Sequence, residues 1–285
     1  MQKIVDELNE WWEEREDIPN ELLKARIVLI FKNGSTKIIN NYRPISLLNT
    51  IVKLFAAIIK TRIAEKIDRH LHKTQYGFRK NKSTTQAIMV VRRLMEMGER
   101  RKSDKRTQRE HNIKRLLLDW EKAFDKVDQE ALFEAMERMG IDDKLIRLTK
   151  QLYNNPTFNV EMGHQASEWK KQSTGIRQGC TLSPYLFLIV MTAIMHDIRE
   201  DQQLDEELHE DRPPNHDFDE VLYADDTIIF STNTKTLQKY LHKVEEVSAG
   251  YGLSLNKKKC EVLDTNPKIA DGIYFKNGTQ IKPKT

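Results

Sequence analysis

The sequence predicts an α+β fold in which a small, mainly antiparallel sheet is covered by helices. Three observations point there: β-branched apolar runs of strand length, longer runs with apolar residues at helical spacing, and an order of the two that forms no regular βαβ series. Residues 25–31 (ARIVLIF) are a strand, whereas 47–67 repeat apolar residues at helical spacing with basic residues on the other face. Residues 87–97 are a second helix, 115–118 lead into a strand end at Asp119, and 129–139 with 144–153 are short helices bracketing Gly140. Residues 158–162 and 169–174 can pair as a hairpin. Residues 183–199 form a long apolar helix with a proline near its first turn, 220–230 form two strands about a turn, and 237–250 form a last amphipathic helix. Trp11 and Trp12 alternate with acidic residues in an N-terminal helix and are assigned to packing. Two insertions, 98–112 and 200–218, are expected to be surface loops. The first lacks apolar periodicity, and the second carries a Pro-Pro pair that stops a helix.

The chain has 285 residues, enough for one large domain or two smaller ones each with its own core. Hydrophobic residues make up 39% and charged residues 32%, the balance of a soluble globular protein with a heavily charged surface. The acidic N-terminus has no signal-peptide core, which predicts an intracellular protein of the cytoplasm or nucleus. The longest nearly apolar run, 180–195, contains Ser183 and Pro184 and falls short of the roughly 20 residues that cross a bilayer, so no membrane partner is expected. Cys180 and Cys260 lie far apart without CxxC or histidine companions, which argues against a disulfide framework or a zinc site. The net charge of +4 hides strong segregation. Residues 21–82 hold 14 Lys/Arg against 3 Asp/Glu, 98–115 hold 8 against 3, and 196–220 hold 2 against 11. The basic stretches suit a polyanionic partner through counterion release.

Three carboxylates carry the chemical argument. Leu116-Leu117-Leu118-Asp119 puts an acid at the end of an apolar run, and Tyr223-Ala224-Asp225-Asp226 puts two between apolar segments. Charged groups flanked by core residues need a partner or a metal. Hard carboxylate oxygens favour Mg²⁺, which binds phosphate oxygens in its remaining positions, so phosphoryl transfer is the natural reaction class. Two such ions about 3.5–4 Å apart would activate an attacking hydroxyl and stabilise a leaving pyrophosphate. An ordinary Asp-Asp turn between two strands stays open as the alternative. No GxxxxGKS/T and no GxGxxG occurs, which removes the P-loop and dinucleotide-binding readings.

Longer segments around these acids make the pattern specific. YADD resembles the Y/F-x-D-D turn of reverse transcriptases, and LLLDWEKAFDKVD resembles their other catalytic segment. TGIRQGCTLSPYLF resembles the segment that meets the incoming nucleotide and template, and GLSLNKKKCEV the segment following the catalytic turn. NYRPISLLNTIVKLFAAI and QYGFRKNKSTTQAI are similar to fingers segments of the non-LTR (LINE-type) retrotransposon enzymes. The segments occur in the family's order over about residues 18–263.

The resemblance implies a right-hand polymerase made of fingers and palm, the palm being a small antiparallel sheet packed by helices. Residues 1–285 would be one reverse transcriptase domain, about 1–115 mainly fingers and about 116–285 mainly palm, with some fingers elements interleaved. It implies an RNA-directed DNA polymerase that adds deoxynucleoside triphosphates to a DNA primer 3′-OH on an RNA template, using two Mg²⁺ ions or Mn²⁺ in their place. Asp119, Asp225, Asp226 and the backbone carbonyl of Trp120 would hold the metals. Phe124 would be an aromatic gate against a ribose 2′-OH, and Arg43 would clasp the triphosphate. Lys32 is a further candidate for those phosphates, with nearby Lys37 able to serve instead. Gln178 and Gly179 would touch the nucleotide and template, and Lys259 would sit near the leaving pyrophosphate, with a merely solvated run Lys257-Lys258-Lys259 as the alternative.

Elements of this kind also resemble multi-enzyme chains with an N-terminal endonuclease, and nothing of that sort precedes the fingers segments. The chain stops before a YLG-type primer-gripping hairpin, so the thumb is expected to be largely absent. Competing functions are a retrotransposon-derived remnant that binds nucleic acid without copying it and an interaction protein using the palm fold. The acidic stretch 196–220 has no account from sequence.

Overall fold

β-Branched runs become strands and helical-period runs become helices in the computed structural model, which describes residues 2–102, 113–213, 216–263 and 272–284. The chain divides into two compact units, each assembled from two stretches: Met1–His70 with Phe124–Phe187, and Leu71–Ala123 with Leu188–Thr285. The strands in chain order are β1 (Ala25–Phe31), β2 (Tyr42–Leu47), β3 (Lys114–Leu118), β4 (Thr157–Met162), β5 (Gln165–Ala166), β6 (Lys170–Lys171), β7 (Glu220–Tyr223), β8 (Asp226–Ser231), β9 (Glu261–Leu263) and β10 (Lys282–Lys284).

In the first unit the strand order is β2-β1-β4-β5, with β6 beside β4. β1 runs antiparallel to β2, with Ile30 opposite Arg43, and parallel to β4, with Ile27 opposite Val160. Pro44 is tolerated in β2 because that strand lies at the sheet edge, where a missing N–H breaks no inner ladder. The helix Thr50–Ile67 starts at Asn49, whose carboxamide oxygen accepts from the Ile51 N–H at 3.0 Å. It buries Val52, Phe55, Ala56, Ile59 and Ile63, the spacing of one helical face. Trp11, fully buried on the helix Gln2–Trp12, meets Phe55 edge-on with ring centroids 5.5 Å apart. The helices Gln129–Arg138 and Asp143–Leu152 are capped by Asp128 and Asp142, and the chain turns between them at Gly140, φ +68°.

The second unit carries its own sheet, in the order β10-β9-β3-β8-β7. β3 is central, antiparallel to both β8 and β9, while β9 and β10 run parallel. The described residues therefore form two five-stranded sheets where the sequence predicts one small sheet. The added strands are two or three residues long, too short for alternation to register, or contain a proline, as β2 does. The helix Ser183–Arg199 begins in the first unit and ends in the second, and Thr84–Lys102 and Thr234–Gly250 complete the helices expected from periodicity.

The acidic insertion corrects the sequence reading. Residues 202–210 form a helix, not a surface loop. Asp201 caps it by accepting from the Leu204 N–H at 3.2 Å, and Leu204 and Leu208, one turn apart, are buried. A two-leucine stripe inside a run of acids is enough for a short packed helix, and the charge conceals it. The acids have assigned partners: Lys239 binds Glu207 at 2.8 Å, Lys243 meets Asp201 at 3.4 Å, Tyr251 donates to Asp197 at 2.6 Å and Thr236 donates to Asp211 at 2.5 Å. The Pro-Pro pair is half described, since Pro214 lies outside the described residues. The helix Thr84–Lys102 takes in the start of the other expected loop, and 103–112 lie outside the described residues. Among the described residues no helix is long and apolar enough to cross a membrane.

Candidate active site

Strand β3 is an apolar carrier: Leu116 and Leu118 are buried in the middle of the second unit's sheet, and the strand ends by delivering Asp119. Beside it, β7 and β8 form a hairpin that turns at Ala224-Asp225. Tyr223 lies opposite Asp226 in β7–β8, and Leu118 lies opposite Thr227 in β3–β8. Continuing that antiparallel register by one residue sets Asp119 beside Asp226, although the two are far apart in sequence. One sheet end thus collects Asp119, Asp225 and Asp226. Asp225 and Asp226 are exposed and Asp119 is half-buried.

The chain after Asp119 is pinned by a short antiparallel bridge between Trp120 and Leu255. The Asn256 N–H donates to the Asp119 carbonyl at 2.8 Å and the Glu121 N–H to the Ser254 carbonyl at 2.9 Å. The bridge therefore uses the Asp119 carbonyl and not that of Trp120. The buried Trp120 indole donates to Thr227 Oγ1 at 3.4 Å, tying the segment to β8. The same bridge brings Lys259 to the acids, its Nζ 3.4 Å from Asp119 Oδ2. Its neighbour Lys257 points elsewhere, pairing with Glu245 at 3.3 Å and lying over the Phe275 ring at 5.1 Å. Among the described residues neither Asp225 nor Asp226 closes an ion pair. The Asp226 carboxyl is held above its usual range by loss of water around it, then by the charges of Asp225 and Asp119, with Lys259 acting in the opposite sense.

The turn itself is tightly specified. Ala224 adopts φ +58°, a left-handed conformation unusual for a residue with a Cβ. The Gln75 carboxamide accepts from the Ala224 N–H at 2.8 Å and donates to the Ala224 carbonyl at 3.1 Å. At the start of β7, buried Glu220 accepts from His72 Nε2 at 2.7 Å and from Arg199 at 2.8 Å, and Arg199 also reaches Asp205 at 2.8 Å and Asp219 at 2.5 Å. Burial raises the Asp219 carboxyl to about 7, with the Glu220 charge and hydrogen bond adding to it and Arg199 opposing. Burial also pushes Glu220 upward, but His72 and Arg199 outweigh it and leave Glu220 well below the carboxylate range. Gln75, His72, Arg199 and Asp219 escape a sequence reading because no local periodicity marks them and the fold alone brings them to their partners.

The remaining candidates belong to the first unit. Arg43 is exposed on β2, and Lys32 follows β1, its N–H donating to the Asn41 carbonyl at 2.8 Å. The Gln178 carbonyl accepts from the Ser46 N–H of β2 at 2.6 Å. Gly179, φ +114°, passes so close to the strand that a Cβ there would lie 2.5 Å from the Ser46 carbonyl oxygen, which only glycine allows. Arg43, Gln178 and Gly179 are thus gathered along one edge strand. Phe124 stacks on buried Phe187 with centroids 4.9 Å apart and planes 15° apart. Cys180 and Cys260 are buried free thiols.

Residues 30–270 match the family model described as reverse transcriptase (RNA-dependent DNA polymerase). The chain is 25% identical over 248 residues to the Retrovirus-related Pol polyprotein from type-1 retrotransposable element R2 of Popillia japonica, covering 86% of this chain and 32% of the relative. It is 27% identical over 252 residues to the RNA-directed DNA polymerase from mobile element jockey of Drosophila melanogaster, covering 85% of this chain and 25% of the relative. The chain spans about a quarter to a third of these relatives' length. Among solved structures, telomerase from Candida tropicalis in complex with a TWJ fragment of telomeric RNA is similar with a TM-score of 0.62 at 16% identity, covering 95% of this chain and 46% of that chain. At that identity the likeness establishes a shared mixed α/β fold.

Proposed function

Because the chain belongs to the reverse transcriptase (RNA-dependent DNA polymerase) family, as a domain of the non-LTR retrotransposon kind, we propose that it transfers deoxynucleotides to a primer 3′-OH on an RNA template. The observation that carries this reading is the convergence of Asp119, Asp225 and Asp226 at one end of one sheet. The donor set fits divalent cations: three carboxylates of which, among the described residues, only Asp119 has a lysine within ion-pair distance, with Asp225 and Asp226 exposed. In this reading the acid-bearing sheet is the palm and β1–β2 belongs to the fingers.

When bound, two Mg²⁺ ions, or Mn²⁺ in their place, would supply Lewis-acid activation of the attacking hydroxyl and neutralise charge on the leaving pyrophosphate. Asp119, Asp225, Asp226 and the Trp120 carbonyl would hold them. Lys259, already at Asp119, offers its ammonium to the pyrophosphate, and the exposed Arg43 offers a planar fork of donors, with Lys32 adding an ammonium, to the triphosphate. Gln178 and Gly179, held against β2, orient the nascent pair. The basic stretches 21–82 and 98–115 suit the phosphates of template and primer.

The test is template-directed extension by this chain in Mg²⁺. Extension that depends on an RNA template and a DNA primer supports the reading, and nucleic-acid binding without extension, even in Mn²⁺, favours the binding remnant. Sugar selection gives a sharper prediction. Phe124 rests flat against Phe187, so its ring position is fixed. Phe124→Ala should raise ribonucleotide incorporation roughly tenfold or more while deoxynucleotide incorporation changes little, the scale of removing one close steric contact in a site. Equal discrimination in variant and parent removes Phe124 from the site.

A further inference from the structure

We infer that Gln75 is a positioning residue for the metal-holding turn, an inference that rests on the proposed role of Asp225 and Asp226. Its side chain is completely buried, and its one carboxamide meets both backbone groups of Ala224, the residue that leads into the two aspartates. The same Oε1 also accepts from the Gly77 N–H at 2.8 Å, which stops the carboxamide from rotating. Only an amide side chain offers a donor and an acceptor in one plane, matching the N–H and C=O of a single residue. Glutamate would offer acceptors alone, and an apolar side chain would leave buried backbone groups without partners.

The clamp is held in place by backbone. The Leu222 N–H donates to the Thr74 carbonyl at 3.0 Å and the Tyr76 N–H donates to the Leu222 carbonyl at 2.8 Å, so Thr74 to Tyr76 run alongside β7. Gly77 then comes so close to the turn that a Cβ there would lie 2.3 Å from the Ala224 nitrogen and 2.9 Å from its Cα. Glycine at 77 is therefore required for the approach, and glutamine two residues earlier exploits it. The turn needs such support because a left-handed Ala224 is disfavoured on its own and a relaxed Ala224 would rotate the peptide that carries Asp225. Gln75 thus acts on the aspartates through Ala224 without touching a substrate.

The test is Mn²⁺ binding to the 285-residue chain, followed by electron paramagnetic resonance, in the parent, Gln75→Met, Gln75→Glu and Asp225→Asn. Thermal midpoint and primer–template affinity are measured for each. Gln75→Met should weaken Mn²⁺ binding and slow extension by on the order of tenfold or more, the penalty for misplacing catalytic groups, with primer–template Kd within about twofold of the parent. Gln75→Glu, which keeps the acceptor and loses the donor, should fall between the two. A folded Gln75→Met that binds Mn²⁺ as the parent does overturns the inference. If Gln75→Met does not fold, Gln75→Glu decides: parental Mn²⁺ affinity overturns the inference and a weakened one supports it. Mn²⁺ binding that Asp225→Asn leaves unchanged overturns the metal-holding reading itself, and with it the role of Gln75.

Discussion

Asp225→Asn should lower template-directed extension by at least about a thousandfold, since a metal-held charge contributes several kcal/mol to a transition state and each 1.36 kcal/mol is a factor of about ten in rate. The substitution keeps the volume and one oxygen of the side chain and removes only its negative charge. Asp225 is exposed in a turn whose shape is set by Ala224 and Gln75, so the fold should be undisturbed. Single-turnover extension, with circular dichroism as the control for folding, makes the measurement. A variant within about tenfold of the parent would mean that Asp225 does not hold a catalytic ion.

Arg199→Ala should destabilise the protein by about 3–5 kcal/mol, the cost of leaving buried charges without their partner. Asp219 and Glu220 are at 0% and 1% side-chain exposure, and Arg199 reaches both. The alanine variant leaves Glu220 with His72 and Asp219 with the more distant Arg212, 3.8 Å away, so the two adjacent buried acids beneath the hairpin that carries Asp225 and Asp226 lose the cation they share. Urea denaturation of parent and variant gives the difference, and a loss below about 1 kcal/mol, the size of a surface pair, would show the network to be dispensable.

The same network predicts a pH dependence. Asp219 has its folded value raised to about 7, so the folded state keeps a proton that the unfolded chain loses near pH 4. Its contribution to stability is therefore fully present below about pH 4 and is lost as pH rises through about 7. Glu220 has the opposite sign, and its stabilisation is lost only at more acid pH, as pH falls through its lowered folded value. Within this network the loss between about pH 4 and 7 belongs to Asp219, and Asp219→Asn should make the stability profile less steep there than in the parent.

What the sequence could reveal followed the reach of its local signals. Asp119 was legible because three leucines announce a buried strand that ends in an acid, and the YADD turn because apolar strands flank it. Helices with a full apolar face, such as Thr50–Ile67 and Thr234–Gly250, were legible for the same reason. The helix Gln202–Glu210 was not, since its two buried leucines are outnumbered by acids that find partners only in the fold. Strands of two or three residues carry no period, which hid β5 in the first sheet and β9 and β10 in the second. Gln75 reads as one polar residue in a loop-like segment until folding sets it against Ala224, 149 positions away. Resemblance supplied the roles of Arg43, Lys32, Phe124, Gln178, Gly179 and Lys259, which no periodicity could assign.

Anomalous scattering from crystals grown with Mn²⁺ and a deoxynucleoside triphosphate tests the central claim most directly, because it locates the ions without assuming a reaction. The account predicts two manganese peaks about 4 Å apart at Asp119, Asp225 and Asp226, since two ions that share ligands must lie that close. His196, Asp197 and Glu200 provide an internal comparison, as their ligand atoms lie within 4.8 Å of one another on an unrelated helix end. Manganese at that cluster and none at Asp119, Asp225 and Asp226 would contradict the account.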